Sequence, residues 1–473
     1  MPVAPGTDPA SAREHATDSQ AGHGLRPGQV PGAEPPSLRR RRGWRPPGEG
    51  ESGMSSETGR RRTGRKLGTR GARALLLEGV HPDAAEALRA RGVEVVEERR
   101  ALAPAALAER LRGVHILGIR SRTHLEEDVL DGAGALLAVG AFCIGTNQID
   151  LAAASERGVA VFNAPFSNTR SVVELALAEI IALTRRLPEL DRALQRGVWD
   201  KSANGSHEIR GRRLGIVGYG NIGTQLSVVA EALGMSVLFY DTADRLALGN
   251  ARRCASLPEL LSEVDVVTLH VDGRPDNRGL FGEEEFATMR DGALFLNLSR
   301  GFVVDHAALR RHILSGHLAG AAVDVFPEEP SSRGDPFRSE LQGLPNVLLT
   351  PHIGGSTEEA QQDIAHFVGG KLLDYFEHGS TALSVNLPPL PLAGPAGARM
   401  THLHRNVPGV LAQLNGIFAE HKLNVAAQHL ATRGQLGYAV TDLEGEPSDE
   451  LTRELRAVAG TVRVRVLGSG IAG

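Results

Sequence analysis

Three glycines at the spacing G-x-G-x-x-G lie where a predicted strand gives way to a predicted helix, in Leu214-Gly-Ile-Val-Gly218-Tyr-Gly220-Asn-Ile-Gly223. Gly218 permits the tight turn, Gly220 lets the backbone approach a pyrophosphate, and Gly223 lets the helix pack against the strand. The first turn of that helix offers free N–H groups to the anion. The pattern predicts a dinucleotide-binding site, and the alternative is a glycine-rich turn without a ligand.

The next predicted strand, Ser236-Val-Leu-Phe-Tyr, ends in Asp241, which follows the glycines by about 20 residues as the dinucleotide fingerprint requires. A carboxylate at this place accepts hydrogen bonds from the ribose 2′-hydroxyl and repels a 2′-phosphate. The sequence therefore favours NAD over NADP as the cofactor.

Three further segments each end a predicted strand, where an open α/β sheet places its ligands. They are Ala293-Leu-Phe-Leu-Asn-Leu-Ser-Arg300-Gly, Ala321-Ala-Val-Asp324-Val-Phe-Pro-Glu-Glu329-Pro and Val347-Leu-Leu-Thr-Pro351-His352-Ile-Gly-Gly. A lone histidine is usually a structural residue whose hydrogen bonds are satisfied within the fold. His352 is therefore a catalytic candidate only if residues of the other two segments act together with it. His270, at the end of another predicted strand, is a rival candidate that we place near the cofactor or in packing.

In this order after the glycine fingerprint, the segments resemble the D-isomer-specific 2-hydroxyacid dehydrogenase family, over about residues 70 to 390. The resemblance implies that Arg300, Glu329 and His352 are the catalytic set. It selects Glu329 over Glu328, because the family's glutamate stands immediately before proline. It also implies that Asp324 binds the nicotinamide amide. The cofactor contacts that it implies are Asn221, Ile222, Leu298, Ser299, Arg300, Asp324, His352, Ile353, Gly354 and Gly355.

The chemistry that the resemblance implies explains these residue types. A hydride leaves C2 of the substrate for the nicotinamide while the C2 hydroxyl loses a proton. His352 can take that proton, because imidazole titrates near working pH. Glu329 beside it would raise the pKa of the imidazole. Arg300 offers a planar fork to the substrate carboxylate.

Two arginines near the start of the predicted order indicate what else the substrate carries. In Gly118-Ile-Arg120-Ser-Arg122-Thr, an extended chain would project Arg120 and Arg122 to the same side, and such a pair suits a phosphate dianion. The alternative is an exposed basic edge. Residues 141–150 resemble the family's substrate loop, and the resemblance adds Asn168 and Lys201 as substrate residues. With Trp199, Lys201 matches a position that can reach a neighbouring subunit's site.

From about residue 398 the pattern becomes βαββαβ, which predicts a small ferredoxin-like module. It resembles an ACT domain, a module that binds amino acids between paired copies. The resemblance implies serine as the effector, held by His404, Asn406 and Asn424. Arg405 and Val407 depart from the acidic residue and arginine that the family more often shows there.

Together these features resemble the serine-inhibited bacterial branch of the family. The expected reaction is oxidation of 3-phospho-D-glycerate by NAD to 3-phosphohydroxypyruvate, the first step of serine synthesis. One alternative is another 2-hydroxyacid dehydrogenase, including one that reduces 2-oxoglutarate. The other is an NAD-sensing binding protein without turnover. Paired ACT modules and a dimerising cofactor domain lead us to expect a dimer or tetramer.

The elements that must position these residues alternate strand and helix from Arg73 to about Thr350, which predicts an α/β fold with parallel sheets covered on both faces. We expect two doubly wound, Rossmann-like domains and the C-terminal ferredoxin-like domain. The expected boundaries are a tail at 1–68, a substrate-binding domain at 69–167 and 355–392, an NAD-binding domain at 168–354 and a regulatory domain at 398–473.

Composition excludes several classes of protein. The 473 residues are 41% apolar with a net charge of −4, which argues against a general nucleic-acid binder. No apolar run reaches the roughly 18–20 residues of a membrane span. Cys143 and Cys254 are the only cysteines and lie far apart in sequence, whereas a disulfide framework or a zinc site needs more thiols at closer spacing. We therefore expect a reducing cytosol and no metal.

The N-terminal tail is dominated by Pro, Gly, Arg, Ser and Glu, and such a segment is expected to be disordered. Its basic runs, Arg39 to Arg42 and Arg60 to Arg62, are interpreted as solvated, with contact to nucleic acid or membrane as the alternative. Met54 is a hypothetical internal start, which an intact-mass measurement of native protein would test.

Overall fold

The computed structural model describes residues 71–330, 334–394 and 398–467. The predictions for the N-terminal tail, its basic runs and Met54 lie outside the described residues. Within these ranges the chain forms two parallel sheets and one antiparallel sheet. This is the predicted α/β architecture with its ferredoxin-like addition.

The first sheet has five parallel strands in the order β2-β1-β3-β4-β5. Every residue of the central strands β3 and β4 is buried, as expected for a parallel sheet with helices on both faces. Its elements are β1 (Arg73–Leu76), α1 (Pro82–Ala90), β2 (Glu94–Glu97), α2 (Pro104–Arg110), β3 (Ile116–Ile119), α3 (Glu127–Asp131), β4 (Ala138–Ala141), α4 (Leu151–Glu156) and β5 (Ala160–Asn163).

The second sheet has seven strands in the order β12-β11-β10-β9-β6-β7-β8. The chain proceeds outward from β6 to β7 and then returns to β9 on the other side, which creates a topological switch point with a crevice at the strands' carboxyl ends. Its elements are α5 (Thr169–Thr184), α6 (Leu187–Gln195), β6 (Arg213–Val217), α7 (Asn221–Ala232), β7 (Ser236–Tyr240), β8 (Arg252–Arg253), α8 (Leu257–Glu263), β9 (Val266–Leu269), α9 (Glu283–Thr288), β10 (Ala293–Asn297), α10 (His306–Leu314), β11 (Leu318–Val323) and β12 (Val347–Leu349).

Two crossings join the parallel sheets. Helix α5 leaves the first sheet and packs on the second, while α11 (Glu358–His378) leaves the second and packs on α1 and β4 of the first. At the crossings the hydroxyls of Ser171 and Thr357 lie 2.8 Å apart. The loop after β4 also lies against the loop after β10, since a β-carbon on Gly145 would be 3.4 Å from Nη2 of Arg300, so the cleft lies between the carboxyl ends of the two sheets.

The segment that follows α11 has no helix or strand in residues 385–394, yet its first residues belong to the core. The Asn386 side chain accepts a hydrogen bond from the Val161 N–H at 2.9 Å and donates to the Val159 carbonyl at 2.9 Å. The neighbouring Leu387 is fully buried. This stretch therefore fastens the chain to the first sheet before the C-terminal module begins.

The C-terminal module has the predicted βαββαβ order and an antiparallel sheet ordered β14-β15-β13-β16. Both helices cover one face of this sheet. The other face packs on α11, where Tyr438 donates a hydrogen bond to the Gly379 carbonyl at 2.7 Å. The elements are β13 (Ala398–Arg405), α12 (Val410–Glu420), β14 (Asn424–Arg433), β15 (Leu436–Glu444), α13 (Asp449–Ala457) and β16 (Thr461–Leu467).

Candidate active site

The glycine-rich turn joins β6 to α7 and leaves open space above it. A β-carbon on Gly218 would lie 2.6 Å from the His270 carbonyl oxygen, and one on Gly223 would overlap the Gly218 carbonyl. A β-carbon on Gly220, in contrast, would meet no atom within 4 Å. No side chain caps the N-terminus of α7. These residues fit a dinucleotide, because uncapped N–H groups and an open approach are what a pyrophosphate requires.

Asp241 stands directly after β7 beside this turn. Its Oδ2 accepts a hydrogen bond from the Tyr219 N–H and its Oδ1 one from the Ala243 N–H, each at 2.8 Å. Arg245 lies 3.6 Å away. The carboxylate is thus held in one orientation at the place where ribose hydroxyls of a bound NAD would lie.

His352 and Glu329 meet at the edge of the cleft. The imidazole Nδ1 lies 2.8 Å from Oε2 of Glu329, and the Phe326 N–H donates to Oε1 at 3.1 Å. Because a carboxylate can only accept, we assign the hydrogen of the neutral imidazole to Nδ1, which leaves the Nε2 lone pair to act as a base. As predicted, it is Glu329 rather than Glu328 that contacts the histidine.

This contact moves both pKa values in opposite directions. The hydrogen bond to Glu329 raises the pKa of His352, against the effect of burial. Burial works to raise the pKa of Glu329, but the hydrogen bond and charge of His352 outweigh it, and this pKa is lowered. Arg300 lies close enough to act on both groups, since its charge lowers the pKa of Glu329 and opposes the rise for His352.

His352 has a left-handed backbone, with φ 54°, which is uncommon for a residue other than glycine. Asp324 holds this conformation. Its carbonyl accepts the His352 N–H at 2.8 Å, and its buried carboxylate accepts the N–H groups of Ile353 and Gly354, each at 2.8 Å. The Thr350 hydroxyl donates to the same carboxylate at 2.6 Å. The contacts of Asp324 thus fix the histidine loop, a role that the sequence did not indicate.

Arg300 lies between loops of the two parallel sheets. A β-carbon on Gly145, after β4, or on Gly273, after β9, would lie 3.4 Å from its guanidinium nitrogens. The buried Asn297 side chain donates to the Arg300 carbonyl at 3.1 Å. The guanidinium therefore faces the predicted substrate loop while its backbone is held by the second sheet.

The predicted phosphate arginines lie in a bend and not in an extended segment, so that expectation was wrong. Strand β3 ends at Ile119, and the next residues curl because the Glu78 carboxylate accepts their N–H groups. Arg120 is still attached to the substrate loop, because its carbonyl accepts a hydrogen bond from the Gln148 side chain at 2.7 Å. Burial raises the pKa of the Cys143 thiol in this loop to about 11, and the charges of Arg120 and Arg300 both work against that rise.

The remaining predicted site residues are not all brought together. Asn168 lies at the crossing beside Gly355, and its Oδ1 is buried without a partner among the described residues. Leu298 and Ser299 are buried next to Arg300, and Ile353 is exposed. Lys201 is exposed in the loop after α6, where the described part of the chain gives it no hydrogen bond or ion pair.

His270 is excluded as the rival base by its surroundings. Burial lowers its pKa to about 3, its Nε2 lies 3.0 Å from the Thr268 hydroxyl, and its carbonyl packs against Gly218. The ring is therefore neutral at working pH and contributes to packing at the cofactor turn.

The effector residues lie at two ends of one sheet. His404 pairs with Gly437, and Asn406 donates to the Gly434 carbonyl at 3.3 Å. Asn424 pairs with Glu444 at the opposite end. One chain therefore does not unite the predicted effector ligands.

The Glu329→Gln variant is expected to lose roughly tenfold in the plateau of kcat/KM for oxidation, because the base is weaker and less well oriented. Oxidation needs neutral His352, so kcat/KM rises with pH through its pKa. Since Glu329 raises that pKa, the acidic limb should move to lower pH in the variant. A pH profile of kcat/KM measures both effects. Glu328→Gln is the matched control, and an unshifted limb in Glu329→Gln would contradict the assignment.

The open dinucleotide turn, the histidine paired with a carboxylate and the guanidinium of Arg300 all follow strands of one parallel sheet, and together they define an NAD-dependent dehydrogenase. Residues 177–354 match the family model "D-isomer specific 2-hydroxyacid dehydrogenase, NAD binding domain", and residues 400–463 match "AHAS small subunit-like ACT domain". The D-3-phosphoglycerate dehydrogenase of Escherichia coli (strain K12) is 52% identical over 396 residues, which are 83% of this chain and 97% of that relative. The chain belongs to the D-isomer-specific 2-hydroxyacid dehydrogenase family.

Other relatives agree. The D-3-phosphoglycerate dehydrogenase of Dictyostelium discoideum is 47% identical over 394 residues, 83% of this chain and 96% of that protein. The solved structure of the TT0316 protein from Thermus thermophilus is similar with TM-score 0.58 and 33% identity, over 64% of this chain and 96% of that one. The structure of D-lactate dehydrogenase from Aquifex aeolicus, complexed with NAD and lactic acid, is similar with TM-score 0.57 and 25% identity, over 64% of this chain and 95% of that one.

Among the described residues, no helix combines the length and apolar character that crossing a membrane requires.

Proposed function

We propose that this chain oxidises 3-phospho-D-glycerate with NAD to 3-phosphohydroxypyruvate, the first step of L-serine biosynthesis. The observation that carries the proposal is that the substrate loop, residues 141–150, contacts both arginine segments. The Gln148 side chain of this loop donates to the Arg120 carbonyl at 2.7 Å, and a β-carbon on Gly145 of the same loop would lie 3.4 Å from Nη2 of Arg300. A three-carbon acid with a carboxylate at one end and a phosphate at the other needs two such cationic anchors. The relatives named D-3-phosphoglycerate dehydrogenase, which match over nearly their whole length, support the same substrate.

Each residue of the catalytic set has one task in this proposal. Arg300 binds the substrate carboxylate and so orients C2. His352 Nε2 accepts the proton of the C2 hydroxyl, and Glu329 stabilises the imidazolium that results. NAD, when bound, accepts the hydride from C2. Asp324 keeps the His352 loop in its strained conformation, so the base is in place before substrate binds.

The Arg120→Gln/Arg122→Gln variant is expected to lose about 10²-fold in kcat/KM for reduction of 3-phosphohydroxypyruvate, because charge-assisted contacts to the phosphate are removed. Hydroxypyruvate lacks only the phosphate, so its kcat/KM should stay within about threefold. Steady-state oxidation of NADH with the two substrates measures the ratio. Arg89→Gln/Arg112→Gln, on the same domain, is the control for net charge.

Two outcomes of this experiment would favour the alternatives. Equal use of hydroxypyruvate and 3-phosphohydroxypyruvate by the unaltered protein, or faster turnover of 2-oxoglutarate, would indicate another 2-hydroxyacid dehydrogenase. NAD binding without turnover of any of these acids would indicate an NAD-sensing binding protein. The contact between His352 and Glu329 favours the enzyme, because binding alone needs no paired base.

A homo-oligomer is part of the proposal. Strand β14 is an open edge of its sheet, and Leu430 is 44% exposed on it. Antiparallel pairing of β14 with the same strand of a second copy would bring that copy's Asn424 to the end that carries His404 and Asn406. The amino-acid site would then be complete only between copies, with L-serine as the proposed effector.

Asn424→Ala is expected to raise the L-serine concentration for half-inhibition by about tenfold, since a hydrogen bond to a charged ligand is lost. Inhibition curves of NADH formation, each scaled to its own uninhibited kcat, measure the change. Gln413→Ala, an exposed amide on α12, is the matched control. If Asn424→Ala leaves the L-serine concentration for half-inhibition unchanged, that result would contradict this placement of the effector.

A second contact surface is proposed at α6. Leu194 is 56% and Trp199 81% exposed there, in an apolar patch next to Lys201. A neighbouring subunit would cover this patch and receive Lys201 at its own cleft.

The same proposal assigns substrate binding to residues 69–167 and 355–392, NAD binding to 168–354 and regulation to 398–473.

A further inference from the structure

Glu78 is a buried carboxylate directly behind the predicted phosphate arginines. It follows β1 with a left-handed backbone, φ 62°, and its side chain is 1% exposed. Its Oε1 accepts the N–H groups of Arg120 at 3.2 Å and Thr123 at 2.8 Å, and its Oε2 accepts the N–H of Arg122 at 3.0 Å. The Arg122 Nε lies 3.6 Å from Oε2. One side chain therefore fixes the whole bend.

This arrangement decides which groups remain for a phosphate. Closely spaced backbone N–H groups in a bend form a site that attracts anions. Here the protein's own carboxylate fills that site, so the backbone of Arg120, Arg122 and Thr123 already has its partner. A phosphate at this bend must therefore be held by guanidinium groups. Glu78 determines the backbone conformation from which these side chains extend.

Gln148 extends the same arrangement to the other end of the substrate. Its buried side chain donates to the Arg120 carbonyl at 2.7 Å and to the Gly145 carbonyl at 3.3 Å. Gly145 is the residue against which the Arg300 guanidinium lies. The bend with the phosphate arginines and the loop that faces the carboxylate-binding arginine are thus joined through one amide.

We infer that Glu78 is a positioning residue that determines specificity for the phosphorylated substrate, and that Gln148 fixes the distance between the phosphate and carboxylate anchors. The inference rests on the proposed function. Glu78 touches neither the reacting atoms nor the phosphate in this account, because it acts through the bend at residues 120–123 and through its ion pair with Arg122. Its loss should therefore weaken binding of a phosphorylated acid more than the chemical step.

The test compares Glu78→Gln with the unaltered protein in reduction of 3-phosphohydroxypyruvate and of hydroxypyruvate by NADH. An amide has one acceptor oxygen, and its NH₂ would face the N–H donors of the bend. The KM for 3-phosphohydroxypyruvate is expected to rise by about tenfold or more, with kcat within about threefold. The kcat/KM for hydroxypyruvate should change less than about threefold. Glu97→Gln, an exposed carboxylate of the same sheet, is the matched control.

A general structural defect would lower kcat/KM for both substrates by the same factor, and that result would overturn the inference. An unchanged KM for 3-phosphohydroxypyruvate would overturn it too. If Glu78→Gln does not fold, Gln148→Leu supplies the second variant. We expect the same selective rise in the KM for 3-phosphohydroxypyruvate. An equal loss of kcat/KM for both substrates would contradict the inference. Failure of the proposed function looks different, because the unaltered protein would then show no preference for 3-phosphohydroxypyruvate, and the inference would fall with it.

Discussion

The His352→Ala variant is expected to lose about 10²- to 10⁴-fold in kcat for oxidation, the usual contribution of a positioned general base. The structure places no other titrating side chain in the same relation to Glu329 among the described residues, and His270 is neutral and buried. Affinity for NAD should fall far less than kcat, because His352 is one of many predicted cofactor contacts and the glycine turn and Asp241 hold the cofactor's other end.

The measurement for this variant is kcat with saturating substrate, together with NAD affinity from fluorescence titration. His366→Ala is the matched control, since His366 pairs with Asp83 on the surface of the first sheet's helices. Loss of NAD binding in parallel with kcat would indicate a structural defect, and a kcat within tenfold of the unaltered protein would contradict the role of His352 as base.

The Arg300→Lys variant is expected to lose about 10²-fold or more in kcat/KM although the positive charge remains. Lysine carries a point charge and cannot reproduce the planar fork that a carboxylate accepts. Misplacing the substrate by about 1 Å is enough for a loss of this size. Nη2 of Arg300 lies against Gly145 of the substrate loop while its Nη1 donates to the Ser299 carbonyl at 2.7 Å, so the guanidinium has a fixed orientation that lysine would not reproduce.

Initial-rate kinetics with 3-phospho-D-glycerate measure this loss, and Arg311→Lys, whose guanidinium pairs with Glu283 on the surface, is the control. Retention of more than a third of kcat/KM in Arg300→Lys would show that charge alone suffices. The planar fork of the guanidinium would then not be what orients the carboxylate.

Features with a local pattern could be predicted from the sequence. The glycine turn with Asp241, the strand ends that carry Arg300 and His352, and the βαββαβ module each follow from short-range periodicity or spacing. The choice of Glu329 over Glu328 came from the resemblance to the family, whose glutamate stands immediately before proline. The contact of Glu329 with His352 agrees with that choice.

Features that depend on distant partners could not be predicted. Glu78 is separated by more than 40 positions from the bend that it shapes, and without it Arg120 and Arg122 look like an extended pair. The hydrogen bonds of Asp324 to the histidine loop likewise join residues that no motif links. The separation of Asn424 from His404 in one chain depends on the register between strands, which no local pattern in the sequence specifies.

The central claim is that Glu329 acts on the reaction through the His352 imidazole, and a double-mutant cycle tests it most directly. We predict that His352→Ala/Glu329→Gln has the same kcat as His352→Ala alone, because the carboxylate has no task once the base is gone. Losses that multiply in the double variant would show that the two residues work independently and would contradict this account.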